Sequence, residues 1–529
     1  MIYVIGSGPA GVAASVALTR RGQHVTMLDA GVRLEPEREQ VLLRMSAGDP
    51  GDWTTADLAV LKEKMSSGAA GIPLKYIAGS DFPYRGADEW LPRDARNVGL
   101  LPSFGRGGFG NVWGAAILPY LDSELTGWPL HRGELAPHYE AVLSFMGMSA
   151  ERDDLEEHFP LYTEKFDAPR VSRQAEALLA DLDRNRGALR ARGFRYGRSR
   201  LAIAARNGDG RDCVACGLCM YGCPYGVIYN PATTLRELAR GPRFTYRPGV
   251  VVERFREVGG EVRISARPCS GGEPIEFVGS RLYVAAGVLS STKLFLASTG
   301  AYGRELSIKD SQYFLLPLLR YRGTPGVADE PLHTLSQAFV EIFDESLSTN
   351  SIHLQLYTYN ELFRTAIRAT LRGAYPLFRP VSDAFLSRLL AVQGYLHSDL
   401  SGTITLRLDP PRGGSPAVLK LDGRYGPQTR QVLKRLVGKL WANRSLLRAV
   451  PLGPALTLGE PGRGFHSGGT LPMRERPGPF ETDPLGRPHG FDRVHIVDSS
   501  VFPTVNASTI TLTVMANAHR IAAHDGNAR

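Results

Sequence analysis

Residues 1–31 constrain the fold more than any other stretch of the chain. They read MIYVIGSGPAGVAASVALTRRGQHVTMLDAG: a short apolar strand, a glycine-rich turn, an alanine-rich helix and a second strand that ends in an acidic residue. Gly6, Gly8 and Gly11 have the spacing G-x-G-x-x-G directly after the strand, which lets the backbone approach a pyrophosphate at the start of the helix. Asp29 ends the second strand, where such units bind a ribose hydroxyl. The pattern predicts a βαβ unit that binds a dinucleotide, and it leaves FAD and NAD both open.

Four of the five cysteines lie together in residues 212–230, which read DCVACGLCMYGCPYGVIYN. Disulfides are disfavoured because these cysteines are too closely spaced to crosslink a large core. A structural zinc site usually pairs two C-x2-C units across a longer loop, which this segment lacks. The spacing C-x2-C-x2-C-x3-C-P instead matches the ferredoxin run that binds an iron–sulfur cluster, either [4Fe–4S] with four ligands or [3Fe–4S] with three. The candidate ligands are Cys213, Cys216, Cys219 and Cys223, and zinc is the alternative.

The composition argues against several classes of protein. The chain has 529 residues and a formal net charge of +9, but no helix-turn-helix, RNA-binding or zinc-finger pattern accompanies the charge, so we expect no nucleic-acid partner. There is no continuous apolar run long enough to span a bilayer and no signal peptide before the first strand, so we expect a cytoplasmic protein, with export alongside a partner subunit left open. Residues 361–396 have the apolar spacing of a helical pair with arginines on the other side, which leaves room for peripheral membrane contact.

Five segments resemble the glucose–methanol–choline (GMC) family of flavoprotein oxidoreductases. They are GRGGFGNVWGAAILPY at 105–120, RLYVAAGVLSSTKLFLAS at 281–298, SDLSGTITLRLD at 398–409, GFHSGGTLPM at 464–473 and VHIVDSSVFPTVNASTITLTVMANAHRIA at 494–522. The resemblance implies an α/β fold in which a Rossmann-type FAD-binding domain is interleaved with an antiparallel-sheet substrate domain. It also implies FAD rather than NAD, held noncovalently because Val112 stands where some relatives carry a flavin-linked histidine. Beyond Gly6, Gly8 and Gly11, the FAD contacts that it implies are Asp29, Gly107, Gly108, Asn111, Val251, Ala286 and Asp498.

The resemblance also gives the cysteines a context. Some bacterial members, the iron–sulfur-containing sugar and sugar-acid dehydrogenases, carry three cluster cysteines spaced C-x5-C-x3-C-P, and Cys213, Cys219 and Cys223 reproduce that spacing. Cys216 departs from it. The resemblance therefore implies a dehydrogenase that oxidises an alcohol group of a sugar, polyol or related small molecule. Electrons would leave through the cluster to a one-electron acceptor, a cytochrome or ferredoxin-like protein, and there is room for a small partner subunit.

The same resemblance indicates the catalytic residues. It places the proton acceptor at His466, and an imidazole that is neutral near pH 7 can take a hydroxyl proton as the hydride leaves. The family's second catalytic residue, a histidine or asparagine, follows the proline of VFP at a fixed distance. An ungapped count from Pro503 lands on Thr509, with Asn506 three residues earlier. Thr509 or Asn506 would hydrogen-bond the substrate oxygen.

The order of the motifs predicts two interleaved domains. Residues 1–305 and 461–529 form the FAD-binding domain, which contains the cysteine segment 212–230, and residues 306–460 form the substrate domain. Two other functions stay open at this point. One is a flavin reductase fed by ferredoxin, and the other is an electron-transfer subunit that has lost catalysis, which Thr509 in place of histidine or asparagine suggests.

Overall fold

The computed structural model describes residues 1–63, 74–167, 170–203 and 212–524, so the last five residues of the predicted FAD-binding domain lie outside it. The strands are β1 (Ile2–Ile5), β2 (Val25–Asp29), β3 (Arg93–Arg96), β4 (Phe194–Arg198), β5 (Phe244–Pro248), β6 (Val250–Val258), β7 (Glu261–Pro268), β8 (Ile275–Gly279), β9 (Arg281–Val284), β10 (Glu305–Asp310), β11 (Tyr313–Arg320), β12 (Ala338–Ile342), β13 (Ile352–Tyr357), β14 (Leu389–Tyr395), β15 (Thr403–Asp409), β16 (Val418–Arg424), β17 (Ala449–Pro451), β18 (Thr457–Leu458), β19 (Ser467–Gly468) and β20 (Val494–Ile496). The helices are α1 (Pro9–Arg20), α2 (Pro36–Ala47), α3 (Thr55–Lys62), α4 (Ala87–Trp90), α5 (Arg132–Met146), α6 (Arg173–Asp183), α7 (Arg186–Arg190), α8 (Pro231–Leu238), α9 (Val288–Thr299), α10 (Glu361–Leu371), α11 (Tyr375–Leu386), α12 (Thr429–Ala442), α13 (Arg444–Leu447) and α14 (Thr511–His524).

A parallel sheet contains β1 and β2 and confirms the predicted βαβ unit. Its strands lie in the order β20-β9-β1-β2-β5, and every neighbouring pair is parallel. Strands β1 and β2 are buried along their whole length, as expected when helices cover both faces of a parallel sheet. The alanine-rich helix α1 packs closely on α14. The glycine turn after β1 and Asp29 at the end of β2 consequently share one edge of this sheet.

A large antiparallel sheet lies in the second half of the chain. Its order is β17-β11-β14-β13-β12-β4, with β18 added to β11. Alternate residues of β13, namely Ile352, Leu354 and Leu356, belong to the hydrophobic core that also contains Leu433 and Leu436 of α12. The other residues of β13 are polar and equally buried, so this sheet presents a polar face away from α12.

A third sheet has the strand order β19-β10-β15-β16-β3, in which β15 pairs with β16 as an antiparallel hairpin. Strands β6, β7 and β8 form a small separate sheet. Strands β3, β4 and β19 come from outside residues 306–460 yet pair with residues inside that range. The chain thus crosses between the sheets more often than the motif order indicates, and the division into two domains stays a prediction.

The helical prediction for residues 361–396 is confirmed only in part. Helices α10 and α11 form the expected pair, but β14 follows them, so the prediction of helix was wrong for Leu389–Tyr395. That segment pairs with β11 on one side and β13 on the other, and tertiary pairing overrides local spacing there. Within the described ranges, the helices are too short or too polar to cross a bilayer.

Candidate active site

A cavity of about 220 Å³ lies at the edge of the parallel sheet where β1 and β2 end. Seven of the ten expected FAD contacts line it: Gly6, Gly8, Asp29, Gly108, Val251, Ala286 and Asp498. Its walls also include Phe465 and Ser467 from one carboxyl-terminal motif, and Ile510 and Thr511 from the other. The fold therefore gathers segments from both ends of the chain around a single space.

The start of α1 has the features of a pyrophosphate site. Gly8, Pro9 and Ala10 line the cavity, so the amides of the first helical turn and the positive end of the helix dipole are available to a phosphate. Gly6 has a φ of +94°, and a Cβ there would lie 2.6 Å from the Ala285 carbonyl oxygen. Only glycine fits this turn, so the backbone can pass close to a ligand.

Asp29 has an oxygen free to bind a ribose. Its Oδ2 accepts hydrogen bonds from the hydroxyls of Ser7, at 2.5 Å, and Tyr246, at 2.8 Å. Burial raises the pKa of this carboxyl to about 6, with the two hydroxyl donors opposing the shift. Since both bonds use Oδ2 and the residue lines the cavity, Oδ1 is left to accept from a sugar hydroxyl. The arrangement fits the dinucleotide predicted from the sequence.

The other three expected FAD contacts, Gly11, Gly107 and Asn111, do not line the cavity but support the residues that do. A Cβ on Gly11 would lie 1.9 Å from the Gly6 carbonyl oxygen, so glycine lets α1 pack directly on the turn. The Gly107 amide donates to the Ser7 hydroxyl at 3.0 Å. The Asn111 side-chain amide donates to the carbonyls of Arg106 and Gly108, which fixes the loop that faces Gly8.

Asp498 anchors a helix at the cavity wall. One carboxylate oxygen accepts from the Gly287 amide at 2.8 Å and from the Ser291 hydroxyl at 2.5 Å, at the start of α9. The other accepts from the Ser500 amide at 3.0 Å. Burial raises the pKa of this group, while these donors act to lower it.

His466 lies between two residues that line the cavity, Phe465 and Ser467. Its ring is half-buried and stacks on Tyr395, with centroids 4.7 Å apart and planes at 24°. Burial lowers its pKa to about 3, and the nearby His353 acts in the same direction, so the imidazole is neutral at physiological pH. Asp310 holds the backbone on both sides of His466. Its carboxylate accepts hydrogen bonds from the Gly462 amide at 2.7 Å and from the Ser467 hydroxyl at 2.8 Å.

The two candidates for the second catalytic position have different surroundings. The Thr509 hydroxyl accepts from the Leu118 amide at 2.9 Å, which leaves its own hydrogen available, and the next two residues line the cavity. Asn506 instead donates its side-chain amide to Glu124 at 2.6 Å. Glu124 also accepts from Ser351 at 2.9 Å, and burial raises its pKa to about 7. Glu124 could not be identified from the sequence, because an acid in a polar turn normally faces water.

Sequence reasoning also missed a row of polar side chains on the large sheet. Glu341, His353, Tyr395 and Tyr313 are direct cross-strand neighbours on β12, β13, β14 and β11. Glu341 accepts a hydrogen bond from His353, and both are fully buried. The alternation of polar and apolar residues in SIHLQLYTY, at 351–359, is the one signal that could have revealed this face.

Among the comparisons with known proteins, one matches a single carboxyl-terminal segment and others extend over nearly the whole chain. Residues 455–518 match the family model described as GMC oxidoreductase. Two curated proteins are similar over 98% of this chain and 90% of their own: 6'''-hydroxyparomomycin C oxidase of Streptomyces lividus, at 26% identity, and paromamine 6'-oxidase of Streptomyces fradiae, at 23%. These similarities confirm the resemblance of the chain to GMC oxidoreductases. The chain is accordingly an FAD-dependent oxidoreductase that acts on CH–OH groups, as the sequence predicted.

Solved structures support the fold of the chain. Pyridoxine 4-oxidase from Mesorbium loti superposes with a TM-score of 0.59 at 15% identity, covering 100% of this chain and 99% of its own. Formate oxidase of Aspergillus oryzae RIB40 gives 0.57 at 12% identity, covering 98% and 97%. At these identities the likeness concerns the fold alone.

The four cysteines of residues 212–230 line one small cavity, together with His333 and several apolar side chains. All are free thiols, and burial raises the pKa of Cys213 to about 11 and of Cys216 to about 12. In the described part of the chain, no three His, Cys, Asp or Glu side chains lie close enough to hold one metal ion. The segment is thus a buried group of thiols around a common space.

The cysteine segment is hydrogen-bonded to the loop that borders the FAD cavity. Trp113 Nε1 donates to the Tyr229 carbonyl at 2.9 Å, and the Asn230 side chain donates to Asn111 at 2.8 Å. Lys75, which sequence reasoning missed, donates to the Trp113 carbonyl at 3.1 Å. Burial lowers the pKa of Lys75 to about 8, and the charges of nearby Cys219 and Cys223 oppose that shift. The two sites are therefore joined by direct contacts.

Proposed function

We propose that this protein oxidises an alcohol group of a sugar, polyol or related small molecule, with His466 accepting the hydroxyl proton. The observation that carries the proposal is the position of a neutral imidazole between Phe465 and Ser467, two residues of the FAD cavity wall. A neutral imidazole can take a proton, whereas an imidazolium cannot.

Several residues would keep His466 in place during the reaction. Tyr395 covers one face of the ring, and Asp310 fixes the backbone through Gly462 and Ser467. Phe465 has a φ of +57°, an unfavourable conformation for a large side chain, and its ring lies 4.9 Å from that of Phe109. Such support keeps a proton acceptor within reach of one hydroxyl.

Thr509 is our candidate for the residue that binds the substrate oxygen. Its hydroxyl hydrogen is available, whereas the Asn506 amide is already bonded to Glu124. FAD, when bound by the glycine turn and Asp29, would supply the hydride acceptor. The protein contributes the proton acceptor, the hydrogen-bond donor and the exclusion of water.

The proposed substrate class rests on two kinds of support. Glu341 and His353 lie in the same cross-strand row as Tyr395, whose ring stacks on His466, and such polar side chains suit a molecule rich in hydroxyl or amino groups. The two curated relatives are named for the oxidation of 6'''-hydroxyparomomycin C and of paromamine. Paromamine and related aminosugars are therefore the first compounds to test.

We further propose that the cysteine segment binds an iron–sulfur cluster through which electrons leave singly. The four thiols line one cavity, and the ferredoxin-type spacing of these cysteines supports the assignment to a cluster. Cys213, Cys219 and Cys223 would be the core ligands, with Cys216 as a fourth in the [4Fe–4S] form. The acceptor would be a cytochrome or ferredoxin-like protein.

A second candidate function is an oxidase that passes electrons to oxygen. It is favoured by the names of the two curated relatives, both of which are oxidases. The two candidates share the alcohol half-reaction and differ only in how reduced flavin is reoxidised.

Anaerobic mixing of the purified protein with a panel of alcohols tests the shared half-reaction. We expect the oxidised flavin bands to bleach with at least one sugar, polyol or aminosugar, and the failure of every alcohol would refute the proposal. Bleaching by reduced ferredoxin alone would favour the reductase. Adding oxygen or a one-electron dye to the reduced protein then separates the acceptors, since rapid peroxide formation indicates an oxidase.

A further inference from the structure

Helix α11 (Tyr375–Leu386) turns an apolar side toward solvent. Leu377, Phe378, Val381 and Phe385, here called the α11 face, are 80%, 46%, 68% and 38% exposed. At 100° per residue these four lie on one side of the helix, opposite the buried residues Tyr375, Ser382 and Leu386. A surface helix normally has polar residues on this side. The face therefore marks an interaction site.

The α11 face is surrounded by positive charge. Residues 361–388 contain five arginines against two carboxylates, Glu361 and Asp383. Arg364 and Arg379 lie near these carboxylates, at 3.8 and 3.5 Å. In the described part of the chain, the other three arginines, Arg368, Arg372 and Arg388, have no carboxylate partner, and two of them are exposed at the ends of α11. The site is apolar at its centre and basic at its rim.

We propose that the α11 face docks on an anionic lipid surface. Its aliphatic and aromatic side chains would enter the boundary between headgroups and acyl chains, while Arg372 and Arg388 would bind lipid phosphates. A second copy of the chain is a poorer occupant, because a two-fold contact through this face would bring the same arginines together. The inference does not depend on the proposed reaction or on what the cysteines bind.

Vesicle sedimentation with the purified full-length protein tests the proposal. We expect binding to vesicles containing phosphatidylglycerol, weaker binding to phosphatidylcholine alone, and release at high salt. The double variant Leu377→Ser/Val381→Ser should reduce binding by roughly tenfold, since it removes two inserted side chains. Both residues are exposed, so unfolding temperature and flavin reduction should not change.

A matched control keeps the result specific to this helix. The double variant Leu43→Ser/Val258→Ser removes two side chains of 55% and 51% exposure from other surfaces and should bind vesicles like the wild type. The proposal is overturned if the wild type ignores anionic vesicles, or if both double variants bind equally well. Light scattering that shows a dimer dissolved by Leu377→Ser/Val381→Ser would assign the face to a second copy instead.

Discussion

Tyr395 stacks on His466 with ring centroids 4.7 Å apart and planes at 24°, although 71 positions separate them in the sequence. The next ring in the same row, that of His353, lies 6.1 Å from Tyr395 at 29°. The proposed proton acceptor is therefore supported by the large sheet, which is formed mainly by another part of the chain.

Replacing Tyr395 should reveal how much this support contributes. Tyr395→Phe keeps the ring and should hold the flavin reduction rate within about twofold. Tyr395→Leu removes a contact of about 0.5–1.5 kcal/mol and should slow reduction about two- to tenfold in anaerobic stopped-flow measurements. Tyr359→Leu, at a buried tyrosine in a different apolar cluster, is the control. Equal rates for Tyr395→Leu and wild type would argue against a positioning role.

His466→Ala should leave the bound-FAD spectrum intact but slow flavin reduction by substrate by roughly 10² to 10⁴, the contribution of a well-placed proton acceptor. His489→Ala, at an exposed histidine, should have no effect. Near-normal reduction in His466→Ala would remove this residue from the mechanism.

The pH dependence follows from the direction of the His466 shift. Because burial and His353 lower its pKa to about 3, the imidazole should stay neutral, and able to accept a proton, well below the ordinary histidine pKa of about 6.5. Flavin reduction should thus stay level as the pH falls from about 8 to about 5. A loss of rate near pH 6.5 that is absent in His466→Ala would contradict this expectation.

Thr509→Val and Asn506→Ala should have different effects. Thr509→Val removes the proposed donor to the substrate oxygen and should slow flavin reduction by about tenfold or more. Asn506→Ala leaves buried Glu124 with one donor fewer, so the main effect should be a loss of stability of about 1–3 kcal/mol, measured by denaturant unfolding. The reverse pattern would assign the catalytic role to Asn506.

Cysteine variants test the cluster separately from the flavin. Cys219→Ser should lose most of the bound iron yet retain flavin reduction by substrate, because Cys219 does not line the FAD cavity. Cys269→Ser, at the fifth cysteine, is the control. Cys216→Ser should leave the electron paramagnetic resonance signal unchanged if three thiols bind a [3Fe–4S] cluster, and change it if four bind [4Fe–4S]. Iron-free protein that contains zinc would refute the cluster.

The residues that could be predicted from the sequence lie in local motifs. The glycine turn and Asp29 depend on neighbours close in the chain, so spacing alone indicates them. The polar row could not be predicted, because it requires the register of four strands that are distant in sequence. Pairing between distant strands also explains why apolar spacing predicts helix where β14 forms. For the same reason, local sequence does not indicate that β4 joins the large sheet.

The hydrogen bonds from Trp113 to Tyr229 and from Asn230 to Asn111 have a thermodynamic consequence. These bonds join the loop beside FAD and the cysteine segment into one cooperative unit. A ligand that orders one of the two segments therefore reduces the conformational entropy that the other segment loses when its own ligand binds. Occupation of the thiol cavity should then tighten FAD binding by a certain factor. By reciprocity, FAD must tighten the thiol-bound group by that same factor, so protein produced without iron should also retain its flavin poorly.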